Sequence, residues 1–170
     1  MAADDGRGSA ANKCRDAQFL TRRRARLSKK NSKGNYILEE QVGYLLRRAH
    51  QRASATFADL IGEDRLTPMQ YGALVKILDL GEVTQNRLGR LIGMDPATIN
   101  GVVSRLEERS LIAREPDPEN RRRVLWRLAP DGAALVKRAI PIGERITEET
   151  LAPLSEEEKT TFLELLGKLK

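Results

Sequence analysis

The chain has 170 residues, a formal net charge of +6, one cysteine and only 4% aromatic residues. A lone thiol excludes an internal disulfide, no run approaches the roughly 20 apolar residues of a membrane span, and no apolar segment follows a basic start as in a secretory signal, so a cytoplasmic protein with an aliphatic core is expected. The charge is uneven: residues 1–35 hold 10 Lys/Arg against 3 Asp/Glu and residues 36–170 hold 20 against 21, so any basic surface on the body needs local segregation.

Residues 1–35 read as a disordered basic tail, rich in Gly, Ser, Ala and Asn, whose run TRRRARLSKK lacks an amphipathic period. It suits an arm that touches phosphates, and equally a solvated tail. A long helix is expected from Leu38 to Ile61, with Leu38, Val42, Leu45, Ala49, Ala53, Phe57 and Leu60 on one stripe. Thr67, Pro68 and Gln70 have capping-box spacing at the start of a second helix carrying Leu74, Val75 and Leu78, which Gly81 ends.

The stretch TQNRLGRLIGMDPATINGVVSRL, residues 84–106, is a helix-turn-helix pattern. Leu88, Leu91 and Ile92 form one stripe; Ile99, Val102, Val103 and Leu106 repeat at the helical period, with Gly93 freeing the turn and Met94 plugging the angle. Thr84 is expected to cap the first helix through its hydroxyl, and Asp95 followed by Pro96 reads as the start of the second. That leaves Ala97, Thr98, Asn100, Gly101, Ser104 and Arg105 outward, short or hydrogen-bonding side chains of the kind a helix needs in a major groove. Taken alone, a helical hairpin with a solvated polar face would look the same.

The next segment of the chain favours DNA. Leu111 to Ala113 read as a strand, Pro116 to Asn120 as a turn, and Val124, Trp126 and Leu128 alternate as the return strand, with Arg121, Arg122 and Arg123 at the tip. A basic hairpin one strand after a candidate recognition helix reads as a wing that reaches phosphates or a narrow minor groove. Thr84, Gln85, Pro96 and the three arginines join the outward residues as candidate DNA contacts. Beyond the wing, Pro130 opens a helix with Leu135, Val136 and Ile140 that Pro141 and Gly143 should kink or interrupt. Ser155 and Glu158 form another capping box, leading to Phe162, Leu165, Leu166 and Leu169.

The expected fold class is therefore mainly α with a small β-hairpin: a winged helix-turn-helix lobe over residues 65–129 and a helical dimerisation region over 36–64 and 130–170. The outer helices carry apolar stripes that a second copy, or their own domain, must cover. Catalysis finds no support in one histidine, no phosphate-binding glycine loop and no metal-ligand cluster, so neither an enzyme nor a metal or other cofactor is expected.

This order of elements, together with DPENRRRVLWRLAPDG, resembles the MarR family of bacterial transcriptional regulators. Arg122 and Leu128 match the wing signature; Asn120 stands for its aspartate, Trp126 for its valine, Ala129 for its threonine, and Ser110 for the usual glycine after the recognition helix. The resemblance implies a ligand-responsive repressor, with the helix from Pro96 to Glu108 in the major groove and Arg122 in the minor groove of double-stranded DNA. It also implies a homodimer on a palindromic operator, and a cleft for a small anionic aromatic ligand lined by Arg47, His50 and Tyr71. LLRRAH in the first helix is similar to members that control aromatic-acid degradation and sense the acid or its aromatic acyl-CoA thioester. Cys14 lies in the tail, away from the helix that carries the thiol of oxidation-sensing relatives. An architectural DNA-binding protein without an effector is the competing reading; no membrane partner is expected.

Overall fold

The computed structural model describes residues 36–120 and 123–169. The basic tail with Cys14, and the wing residues Arg121 and Arg122, lie outside the described residues. The chain divides into a unit ending at Tyr44 and a second comprising Leu45–Lys170. In the first, a 3-10 turn at Leu38–Glu40 is braced by Gln41, whose side-chain amide donates to the Ile37 carbonyl at 2.9 Å. The helix expected from Leu38 starts instead at Val42, because Gln41 is extended at ψ 135° and no continuous i−4 ladder can pass it.

The elements are α1 (Val42–Ile61), α2 (Pro68–Leu80), β1 (Glu82–Thr84), α3 (Gln85–Leu91), α4 (Pro96–Glu108), β2 (Ile112–Pro116), β3 (Val124–Leu128), α5 (Pro130–Leu151) and α6 (Glu156–Gly167). Local chemistry sets most of the boundaries. Both predicted capping boxes form, Thr67 with Gln70 and Ser155 with Glu158. Gly81 closes α2 at φ 75°, where only glycine is free of strain. Asp95 caps α4 by accepting from the Ala97 and Thr98 amides, both at 2.9 Å.

The core gathers Leu74 and Ile77 of α2, Leu88 of α3, Ile99, Val103 and Leu106 of α4, Trp126 of β3 and Val136 of α5, all at or below 5% exposure. The expected stripe of α4 is buried throughout, and Met94 packs against the same core. Leu91 departs from its expected stripe, being 48% exposed while Ile92 turns inward. On α1 only Phe57 and Ile61 are buried, with Leu60 packed beside them.

Three antiparallel strands, not two, form the sheet, in the order β1-β3-β2. The short β1 buries Val83 and pairs it with Trp126, a partner too distant in sequence for alternation over three residues to reveal. β2 runs from Ile112 to Pro116, so Pro116 pairs with Val124 and does not open the turn. The alternation expected for β3 also fails, since Leu125 and Trp126 are both buried and Val124 is exposed. Neighbouring strand residues point to opposite faces, so this central strand is covered on both sides.

α5 runs without interruption through Pro141 and Gly143. Pro141 forfeits one amide on an exposed side, while Leu135, Val136, Ala139 and Ile146 hold the inner face in register. Two guanidinium groups reach backbone carbonyls at or just beyond a helix end. Arg52 of α1 donates to the Thr150 and Glu149 carbonyls at 2.8 and 2.9 Å, placing positive charge on the negative end of α5. Arg109, the C-cap of α4, donates to the Asp64 and Arg65 carbonyls at 2.8 and 3.1 Å, just beyond α1.

Candidate DNA interface and ligand site

The predicted recognition face lies on α4. Pro96, Ala97, Asn100 and Arg105 are exposed there, with Thr98, Gly101 and Ser104 half-buried between them. Thr98 is partly committed: its hydroxyl donates to the Asp95 carboxylate at 2.6 Å. That bond first, and the backbone N–H groups behind it, hold the Asp95 carboxyl below its usual range.

A groove of about 660 Å³ opens between α3, α4 and the wing. It brings Thr84, Gln85, Asn100, Ser104 and Arg123 of the sequence-predicted set onto one surface. The Gln85 side-chain amide donates to Asn100 Oδ1 at 3.4 Å, linking the two helices of the motif across the groove. Thr84 does not cap α3 through its side chain as expected; it ends β1, and its side chain lines the groove instead. Pro96, Ala97, Thr98, Gly101 and Arg105 belong to the same helix but lie outside the groove lining.

The groove also holds residues that sequence reasoning missed. Asn86 and Arg90 stand on the exposed side of α3, whose inner side buries Leu88 and Gly89. Glu107 and Arg114 face each other across the joint between α4 and β2. Nothing in local spacing announces that pair, because it joins a helix to a strand. The wing itself is braced: Asp117 accepts from the Glu119 amide at 2.9 Å, and its own amide donates to the Arg123 carbonyl at 3.1 Å. Behind it, Arg127 of β3 lies between Glu82 of β1 and Glu115 of β2, pairing with both acids across the sheet.

The candidate ligand residues occupy two settings. Arg47 and His50 are exposed on α1, with His50 Nε2 3.5 Å from the Ser54 hydroxyl oxygen. Tyr71 is half-buried on α2; its ring meets Phe57 edge-on at 5.9 Å, and a Cβ at Gly143 of α5 would come within 2.1 Å of its hydroxyl oxygen. Burial first, and then the charge of Glu144, push its phenol pKa upward, so the hydroxyl is a proton donor at neutral pH. Among the described residues no group of His, Cys, Asp and Glu is arranged to hold a metal ion, and no helix is long and apolar enough to cross a membrane.

The sequence profile of the MarR family matches residues 66–124, the stretch from the capped start of α2 to the first residue of β3. The chain is similar to the HTH-type transcriptional repressor NicR of Pseudomonas putida, with 39% identity over 134 residues that cover 79% of this chain and 85% of that protein. A crystal structure of a probable transcriptional regulator from Pseudomonas aeruginosa superposes with a TM-score of 0.76 at 46% identity, covering 79% of this chain and all of that one. Bordetella bronchiseptica BpsR, whose DNA binding is regulated by 6-hydroxynicotinic acid, superposes with a TM-score of 0.76 at 40% identity, covering 80% of this chain and 97% of that one. With this profile, these relatives and a winged helix-turn-helix of the same build, the chain belongs to the MarR family of transcriptional regulators.

Proposed function

We propose that the chain is a ligand-responsive repressor that binds a palindromic operator as a homodimer, with α4 in the major groove and the wing on the adjacent minor groove. The observation that carries this reading is the groove in which the amide and hydroxyl groups of Asn100, Ser104 and Gln85 stand beside Arg90 and Arg123. Donors and acceptors of that kind read base edges, and guanidinium groups neutralise phosphates. Thr84, Pro96, Ala97, Thr98, Gly101 and Arg105, with Arg121 and Arg122 at the wing tip, complete the proposed contacts. Residues 65–129 form the DNA-binding lobe in this reading, and segments 36–64 and 130–170 join the two copies.

The effector we assign is a small aromatic carboxylate, free or as its CoA thioester. Arg47 and His50 offer a cation and an imidazole for the carboxylate of the free acid or for the phosphates of the thioester, and Tyr71 a phenol that stays protonated at neutral pH. BpsR supports the class, since 6-hydroxynicotinic acid is an aromatic acid. Such a ligand releases DNA only by binding the non-DNA-competent state more tightly, and a coupling of about 1–3 kcal/mol, or roughly 5- to 150-fold in operator affinity, suffices.

Genomic footprinting of the purified protein, followed by titration of the protein–operator complex with 6-hydroxynicotinic acid and other aromatic acids, tests both parts. A few sharp palindromic sites released by an aromatic acid are expected, with Arg122→Ala binding them about 1–3 kcal/mol more weakly at an unchanged Tm. Diffuse binding that no aromatic acid relieves would favour an architectural protein.

A further inference from the structure

Glu107 and Arg114 line the DNA-facing groove, yet neither belongs to the proposed contact set. Arg114 Nε and Nη2 donate to the two carboxylate oxygens of Glu107 at 2.7 and 2.6 Å, a bidentate pair. The guanidinium also lies over the Trp126 ring, 5.6 Å from its centroid. Trp126 is the cross-strand neighbour of Arg114 in the β2–β3 ladder and is only 5% exposed, so the platform under the cation is part of the core.

An arginine in such a groove invites assignment to a phosphate. Two observations oppose that. The carboxylate of Glu107 already occupies the Nε–Nη2 edge of the guanidinium and offsets its charge, and an anion on a surface that receives DNA repels phosphates. The pair also spans the joint between recognition helix and wing, which the main chain crosses through Arg109, Ser110 and Leu111.

We propose that Arg114, held by Glu107 and seated on Trp126, is a positioning residue that sets the angle of the wing to α4, so that helix and wing meet adjacent grooves together. It is not a phosphate contact. The inference rests on the reading of this face as the DNA interface. It adds that the correct wing angle is built before DNA arrives, through a charge pair that DNA does not displace.

The sign of one substitution decides. Glu107→Gln, Arg114→Lys and the double variant of the full chain are compared with the wild type on a footprinted operator and on unrelated duplex DNA, across a salt series. If Arg114 contacted phosphate, Glu107→Gln would free a cation, tighten binding and steepen the salt slope by about 0.9, while Arg114→Lys would bind like the wild type. The positioning role gives the opposite pattern. Each single variant binds the operator about fivefold more weakly, the double variant is no worse than either single, and the salt slope and the affinity for unrelated DNA stay unchanged. Operator binding by Glu107→Gln that is equal to or tighter than wild type overturns the proposal. Should Arg114→Lys fail to fold, the sign for Glu107→Gln still decides. Failure of the underlying reading shows separately, as a wild-type protein that protects no site.

Discussion

Ser110 holds the left-handed position that ends the recognition helix, at φ 56°. Its amide donates to the Glu107 carbonyl at 2.7 Å and the next amide, of Leu111, to the Leu106 carbonyl at 2.9 Å, the paired crossing bonds of a Schellman motif. The end of α3 is closed in the same way, by Gly93 at φ 68° and Met94. Serine at this position bears a left-handed strain of about 1–2 kcal/mol, which glycine avoids while losing about 0.5–1 kcal/mol more backbone entropy on folding. Ser110→Gly should therefore stabilise the protein by about 0.5–1 kcal/mol and raise Tm by roughly 2–3 °C; a lower Tm in a thermal melt would refute the strain. At the other end of the helix, the depressed pKa of Asp95 means that the folded state favours its carboxylate. That contribution is present above the ordinary carboxylate range and is lost as pH falls through the lower, folded-state pKa. Asp95→Asn keeps a capping oxygen and removes the charge. Its Tm should lie below wild type at neutral pH, with the gap closing as the medium is acidified; a pH-independent gap would assign the effect to geometry alone.

At the scale of elements, α4 serves two surfaces. One face is spent on the core, through Ile99, Val102, Val103 and Leu106, and the opposite face presents Asn100 and Arg105 to solvent. Because the first face is buried, substitutions on the second should alter recognition without unfolding the lobe. Asn100→Ala and Arg105→Ala are expected to change the operator selected from random DNA, at about 1–3 kcal/mol for a lost bidentate base contact. Return of the wild-type motif by both variants would move base readout elsewhere. α5 depends on one close approach: a Cβ at Gly132 would lie 1.8 Å from the Leu111 carbonyl oxygen, the same oxygen that accepts from the Ala129 amide at 3.0 Å. Gly132→Ala should push α5 away from the start of β2 and cost about 3 kcal/mol, roughly 10 °C in Tm. A melt within a degree or two of wild type would show that the helix shifts freely.

For the whole molecule, the exposed apolar surface is the informative quantity. Leu163, Leu165, Leu166 and Leu169 of the C-terminal segment remain exposed, as do Leu45 and Leu46 of α1. Leu46, Leu163, Leu166 and Leu169 line one shallow apolar groove with Gly167. Water-exposed leucine clusters of this kind mark an interface, and a second copy is the occupant that the proposed homodimer would place there. Leu166→Glu should leave the winged lobe folded, convert a dimer to a monomer in sedimentation at micromolar concentration, and weaken operator binding far more than binding to a half-site. A variant that still sediments as a dimer would place the interface elsewhere.

Much of the fold was legible in the chain itself, and the reason is range. The capping boxes at Thr67 and Ser155, the Asp95–Pro96 start, the turn at Gly93 and the buried stripe of α4 each depend on residues within about four positions of one another, where helix geometry leaves few alternatives. The same holds for the outward face of α4, the proposed recognition face, which is simply what remains when the core stripe is removed. Other features needed partners that local spacing does not reveal. β1 exists because Val83 meets Trp126, and the guanidinium of Arg109 finds the carbonyls of Asp64 and Arg65 far back in the chain. α5 continues through Pro141 because its inner face is held by the core, outweighing a local breaker. Glu107 and Arg114 are seven residues apart, yet their meeting depends on the angle at which a strand leaves a helix. Local hydrogen bonding and periodicity were thus written in the sequence, whereas the docking of one element on another was decided only in three dimensions, where long-range packing and charge pairing outweigh local preference.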